Sequence, residues 1–224
     1  MLRFFAKFKT LAIALFIISV ISLYIIYNLL KPEERLPVYQ PDMVNAEMVD
    51  TSVQYVRKYH KIADFELYNQ NGDTITQDFY KDKIYVADFF FTTCLSICPI
   101  MTDHMLKIQK RLKDDPDVLL LSHTVIPNHD SVPVLKKYAI EKGVDDKKWN
   151  LVTGPKKEIY NLARKSYLAT KTTGDGGPYD MIHTENFVLV DKDRQIRGFY
   201  DGTDPEAIED LMHDIKILEA EYQE

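Results

Sequence analysis

The chain has two cysteines, Cys94 and Cys98, in one stretch, Asp88-Phe-Phe-Phe-Thr-Thr-Cys94-Leu-Ser-Ile-Cys98-Pro99-Ile-Met101. A strand-like apolar run leads straight into them. Two thiols four positions apart lie one turn apart on the same face if a helix begins here. A helix start also offers partial positive charge and unpaired N–H groups, which favour thiolate over thiol. The expected chemistry is that of an activated dithiol that handles electrons, a metal, or both. With no third or fourth thiol, neither a multi-disulfide scaffold nor a long-range structural bridge can form.

At 224 residues the chain has room for one ordinary domain plus appendages. Its 46% apolar and 28% charged content is that of a globular protein. A net charge of −6 argues against a nucleic-acid partner. Residues 11–30 carry no charge, and a run of about 20 apolar residues crosses a bilayer as a helix. Arg3, Lys7 and Lys9 precede this run, while mixed charges follow it. The positive-inside rule therefore places a basic tip, residues 1–10, in the cytoplasm. No small-residue cleavage site follows Leu30, so the run is expected to stay as an anchor. Residues 31–50, with three prolines, read as an extended linker, and residues 51–224 as the domain. The expected location is the inner (cytoplasmic) membrane, single-pass, with the domain on the periplasmic or extracytoplasmic side.

The elements that must position the dithiol follow from periodicity. A hairpin is expected around Asn71-Gly72, and Ile84 to Phe91 and Val118 to His123 read as buried strands. Helical spacing covers Ser96 to Lys113, Ser131 to Lys142 and Pro155 to Tyr167, with a short strand at Asn150 to Val152. A second hairpin, Asn186 to Val190 with Gln195 to Tyr200, precedes a last helix capped by Asp204-Pro205. Alternating strands and helices predict an α/β fold, a mixed sheet with helices on both faces, plus the N-terminal transmembrane helix. In such sheets the chemistry lies beyond the carboxyl ends of parallel strands, where the cysteine segment departs.

Strand, turn, cysteine, then helix is the thioredoxin-like arrangement, and Asp88 stands six residues ahead of Cys94 as an aspartate does in thioredoxins. The CxxxC pair followed by Pro99, and preceded by Phe91-Thr-Thr, closely resembles the copper-binding motif of the Sco/SenC family. Trp149-Asn-Leu-Val-Thr-Gly154 resembles that family's W-x-x-x-T-G segment. His183-Thr-Glu-Asn-Phe-Val-Leu-Val-Asp-Lys-Asp and Arg197-Gly-Phe-Tyr-Asp-Gly202 resemble its histidine strand and closing hairpin. The resemblance runs from about Asp64 to Leu218. It implies a thioredoxin-like metallochaperone that holds Cu(I) or Cu(II) through Cys94, Cys98 and His183. It further implies that the protein supports maturation of the copper A centre of cytochrome c oxidase. The implied partner is a copper-containing oxidase subunit or another copper or thiol protein. The alternative is a thiol–disulfide oxidoreductase that reduces target cysteines with the same pair. Thiolates are soft ligands that select Cu(I), and two thiolates with one imidazole leave the site open for transfer.

Many family members carry aspartate where this chain has Ile182, and D-P-E-R-D where it has Ile126-Pro127-Asn128-His129-Asp130. Without the resemblance, His183 is equally an ordinary strand histidine. His123, ending a strand that points at the same edge, is its rival as a ligand. His129 is a loop residue able to act as a transient ligand, although a solvated loop explains it too. His60, His104 and His213 are expected at the surface or its boundary. Met101 and Met105 are expected in the core. Asp88, in a nearly all-apolar strand, is either a proton acceptor for a thiol or a satisfied structural carboxylate. Ideal helical spacing holds the cysteine Cβ atoms about 5–6 Å apart, wider than the roughly 3.8 Å of a disulfide. Oxidation is therefore expected to loosen the first turn and to displace copper from these sulfurs.

Overall fold

The computed structural model describes residues 8–30, 34–170, 177 and 180–223, and the chain divides into two units between Arg35 and Leu36. In the first unit, helix α1 covers Lys9–Leu30. Every described side chain from Leu11 to Tyr27 is exposed, Phe16 at 70% and Leu23 at 64%. A helix apolar on all sides has no core-facing stripe. Among described residues no helix meets the length and apolarity of a membrane crossing. Residues 1–7 of the expected basic tip lie outside the described residues.

In the second unit, Gly72, at φ +85°, allows the turn between β1 (Glu66–Asn69) and β2 (Thr74–Thr76). Then follow β3 (Ile84–Phe90), α2 (Cys98–Arg111), β4 (Val118–Thr124), α3 (Val132–Lys142) and β5 (Trp149–Thr153). Helix α4 (Lys156–Asn161) runs into a π-helical turn, Leu162–Ser166; β6 (Asn186–Val190), β7 (Ile196–Asp201) and α5 (Pro205–Glu221) complete the unit. The seven strands form one sheet in the order β2-β1-β5-β4-β3-β6-β7, with β5, β4 and β3 parallel and the outer pairings antiparallel.

Strand alternation separates two cores. Ile84, Val86, Phe90 and Leu120 join Met101, Met105 and Ile108 of α2 and Leu211 and Ile215 of α5 on one face. Tyr85, Ala87, Phe89 and Leu121 join Ile159, Tyr160 and Tyr167 on the other. Met101 and Met105 are fully buried, as their spacing predicted.

Three expectations change. The linker expected over 31–50 is instead part of the domain from Leu36 onward. Tyr39 bridges Ile196, Val49 is buried in the core, and Arg197 donates to the carbonyls of Leu36 and Pro37. Prolines made this stretch look like a tether, but backbone bonding to β7 holds it. The helix expected from Pro155 to Tyr167 ends its α-form at Asn161 and widens into the π turn. His60 and His104 are buried rather than superficial: His60 Nε2 donates to Ser166 O at 2.7 Å and His104 Nδ1 to Gly202 O at 2.8 Å.

Candidate metal centre

Beyond the carboxyl end of β3 the chain turns through Phe91 to Ile97 before α2 begins at Cys98 with Pro99 in its first turn. A proline here loses nothing, because first-turn N–H groups have no helical acceptor. The helix does not include Cys94, so the two thiols are not related by one helical turn as expected. Instead Cys94 N–H donates to Phe91 O at 3.3 Å, curling the loop back. The Cys94 sulfur then accepts the N–H of Cys98 at 3.4 Å and lies 3.6 Å from Ser96 Oγ. One sulfur thus meets an unpaired N–H at the helix start. Both thiols are free, Cys94 half-buried and Cys98 buried.

The two thiols are unequal. At Cys94 burial pushes the pKa up, but hydrogen bonds from the Cys98 thiol, Ser96 and the Cys98 N–H outweigh it and bring the group to about 7. At Cys98 burial, reinforced by donation to Cys94, pushes the thiol up to about 12. The expected activated dithiol is therefore one activated thiol and one protected thiol.

Asp88 lies on the α2 side of the sheet. Burial pushes its carboxyl up to about 7, opposed by the Ser122 hydroxyl that donates to it. Trp149 Nε1 donates in turn to Ser122 Oγ at 2.8 Å. His123, one residue on along β4, points to the opposite face. Its ring stacks on Phe89 at 4.9 Å and meets Tyr167 and Phe65 edge-on. Burial holds its pKa down to about 4. With the sheet between it and Cys98, His123 is removed as a rival ligand, because strand parity decides the face.

Asp130 was not anticipated as a supporting residue, yet it holds the cysteine loop. Fully buried, it accepts from Thr92 N–H at 3.1 Å, Thr92 Oγ at 2.5 Å, Thr124 Oγ at 2.5 Å and His129 Nδ1 at 2.9 Å. Four donors on one carboxylate, two of them from Thr92 two residues before Cys94, tie the loop to the end of β4.

His183 sits on an extended strap leading into β6. Ile182 and Thr184 are buried, while Met181, His183 and Glu185 are exposed. Arg164, placed by the π turn, grips Asp180 with two bonds of 2.7 Å, and both side chains are almost wholly buried. Lys156 Nζ donates to Asp180 O at 2.6 Å. The Tyr160 hydroxyl lies 3.1 Å from Asp180 O and 2.9 Å from Val125 O. At the far end Thr184 Oγ donates to Ala169 O at 2.6 Å and Gly202 N–H to Glu185 O at 2.7 Å. A Cβ at Gly202 would come within 2.6 Å of Phe187, so only glycine lets the two segments approach. The His183 ring meets Phe91 edge-on at 6.2 Å, which places it beside the start of the cysteine loop. Among the described residues, no three His, Cys, Asp or Glu side chains stand close enough to hold a metal. The two thiols meet, and the histidine stands apart.

A family model for SCO1/SenC matches residues 53–218. The chain belongs to the SCO1/SenC family. The SCO1 protein homolog of Bacillus subtilis is 33% identical over 159 residues, covering 70% of this chain and 82% of that protein. A SCO1/SenC family lipoprotein from Bacillus anthracis is 31% identical, with a TM-score of 0.63 over 71% of this chain and 95% of that one. BsSco, described with a disulfide switch and as one of the Sco family of cytochrome c oxidase assembly proteins, is 32% identical. Its TM-score is 0.60 over 71% of this chain and 93% of that one. Yeast Sco1 and Arabidopsis thaliana ScoI, each with copper bound, share the fold at 23% and 21% identity, both with TM-scores of 0.54. The thioredoxin-like α/β fold is thus that of other SCO1/SenC members. Ile182 is buried and Ile126 half-buried.

Proposed function

We propose that this protein is a membrane-anchored copper metallochaperone that supports maturation of the copper A centre of cytochrome c oxidase. Copper is its cargo, held by Cys94, Cys98 and His183. The supporting observation is the contact of Cys98 N–H with the Cys94 sulfur, which brings two soft donors to the sheet edge in a chain of this family. Cys94 is ready to bind near neutral pH, whereas Cys98 must release its proton as copper arrives. His183 completes the set by moving in from its place beside Phe91. The uncharged run of residues 11–30, preceded by Arg3, Lys7 and Lys9, is the anchor in the inner membrane, with the domain extracytoplasmic. The partner is an oxidase subunit or another copper or thiol protein.

The test is the copper content of the full chain purified anaerobically in detergent. We expect one copper per chain, lost in Cys94→Ser and Cys98→Ser and strongly weakened in His183→Ala. Unchanged affinity in His183→Ala overturns the ligand set, and full copper in the serine variants overturns the metallochaperone.

The unequal thiols favour a second reading, reduction of a target disulfide. Cys94 thiolate would attack one target sulfur and release the other as thiolate. Cys98, giving up its proton, would then displace the second, leaving Cys94–Cys98 oxidised and the target reduced by two electrons. Stoichiometric reduction of a target disulfide by copper-free protein, undiminished in His183→Ala, is the result that would select it.

A further inference from the structure

His129 is set up differently from every other histidine described. Its side chain is 55% exposed, while the carboxylate it touches, Asp130, is fully buried. Nδ1 lies 2.9 Å from Asp130 Oδ1, the oxygen that also accepts from Thr92 Oγ. A carboxylate only accepts, so the Nδ1–H is the group turned to Asp130, and Nε2 is left facing away from it. Among the described residues Nε2 makes no hydrogen bond. Imidazoles that bind metals commonly give their other N–H to a carboxylate, which fixes the tautomer and raises the ligand's basicity. The same arrangement is present here on a loop bonded through Asp130 to Thr92. His129 and Thr92 converge on one oxygen, Thr92 is two residues from Cys94, and two residues span at most about 7 Å. By contrast, His123 and His104 are buried, and His60 is spent on Ser166 O. His183 has no carboxylate to orient it among the described residues.

We propose that His129 is an additional copper ligand, an Asp130-oriented imidazole that takes the incoming ion at Nε2 and passes it to Cys94. The proposal rests on the copper reading above and adds to it the route of entry. No electron moves: the ion exchanges its carrier's ligand for Nε2, then Nε2 for the Cys94 thiolate. An imidazole suits both Cu(I) and Cu(II), so entry does not require one oxidation state. Asp130 has a double task, presenting the imidazole and holding Thr92, which ties the entry ligand to the loop of the receiving sulfur.

The test measures the rate at which the reduced full chain, in detergent, takes Cu(I) from a coloured chelate, together with final stoichiometry. We expect His129→Ala to bind the same amount of copper but about tenfold more slowly, with added imidazole restoring the rate. An unchanged rate overturns the proposal. So does a slow rate that imidazole fails to restore, since that marks a structural effect through Asp130. His129→Gln checks the loop: it should fold with wild-type stability and remain slow, and wild-type capture by this variant counts against the proposal. Cys94→Ser separates the two readings. If that variant still loads fully, the dithiol site itself is wrong; if it loses copper while His129→Ala captures normally, only the entry ligand is wrong.

Discussion

The cysteine loop and the histidine strap are both tied down, but in opposite senses. The loop is fastened at the point of chemistry: Asp130 takes two bonds from Thr92, and the Cys94 sulfur itself accepts the N–H of Cys98. The strap is fastened at its ends, by Arg164 on Asp180 and by Ala169 O on Thr184, leaving His183 between them exposed. One half of the site is preformed, while the other is held near and left free to approach. That division fits a protein that must both take and give up its cargo, since a closed four-ligand site retains its metal.

The largest expected effect breaks the strap alone. Arg164→Met removes the paired 2.7 Å bonds to the buried Asp180 carboxylate and should cost about 3–5 kcal/mol, read from denaturant unfolding. Arg164→Met with Asp180→Leu should recover most of that stability. The double variant should bind copper less tightly while its Cys94 reacts with iodoacetamide at the wild-type rate. Equal loss of thiol reactivity would show that strap and loop are one unit.

Next comes the carboxylate beneath the loop. The Asp88 native pKa of about 7 stands above its ordinary 3.8. Its contribution to stability is therefore complete below about pH 4 and lost as pH rises through 7, by a few kcal/mol. In Asp88→Asn that portion of the pH dependence should vanish from the unfolding curves. A profile identical to wild type would mean that Asp88 ionises as freely in the folded chain as in the unfolded one.

Thiol titration separates the two cysteines within the loop. In copper-free reduced protein, alkylation of Cys94 should accelerate as pH rises through about 7, and Cys98 should stay unmodified up to pH 10. Comparable labelling of both at pH 8 would refute the asymmetry. The smallest effect is expected across the sheet. His123→Phe removes a buried Nε2 that has no partner among the described residues, and should raise stability by about 1 kcal/mol. Copper affinity should be unchanged, and a drop would return His123 to the site.

Elements with strong local patterns could be read along the chain. The apolar run Ile84 to Phe90, the helical stripe of Met101, Met105 and Ile108, and the Asn71-Gly72 turn each declare themselves within a few residues. Three helix starts, at Ser131, Pro155 and Asp204, were equally plain, but the start of the cysteine helix was not. Cys94 and Cys98 have helical spacing, but Phe91 O draws the Cys94 N–H back and delays the helix to Cys98. Residues 36–50 carry the prolines of a tether, while the partners that hold them, Ile196 and Arg197, lie far along the chain.

The sequence by itself determined the order of strands and helices, the spacing of the thiols and the uncharged run of residues 11–30, because each depends on neighbours within a turn or a strand. Only the tertiary structure decided that His123 faces away from Cys98, that Asp130 serves Thr92, and that Arg164 holds the strap of His183. Asp130 and Thr92 stand 38 residues apart and meet because β4 pairs with β3 in parallel. A parallel pairing brings together two strand ends whose separation along the chain is set by the crossover helix, and no local periodicity records which side chains will face each other there.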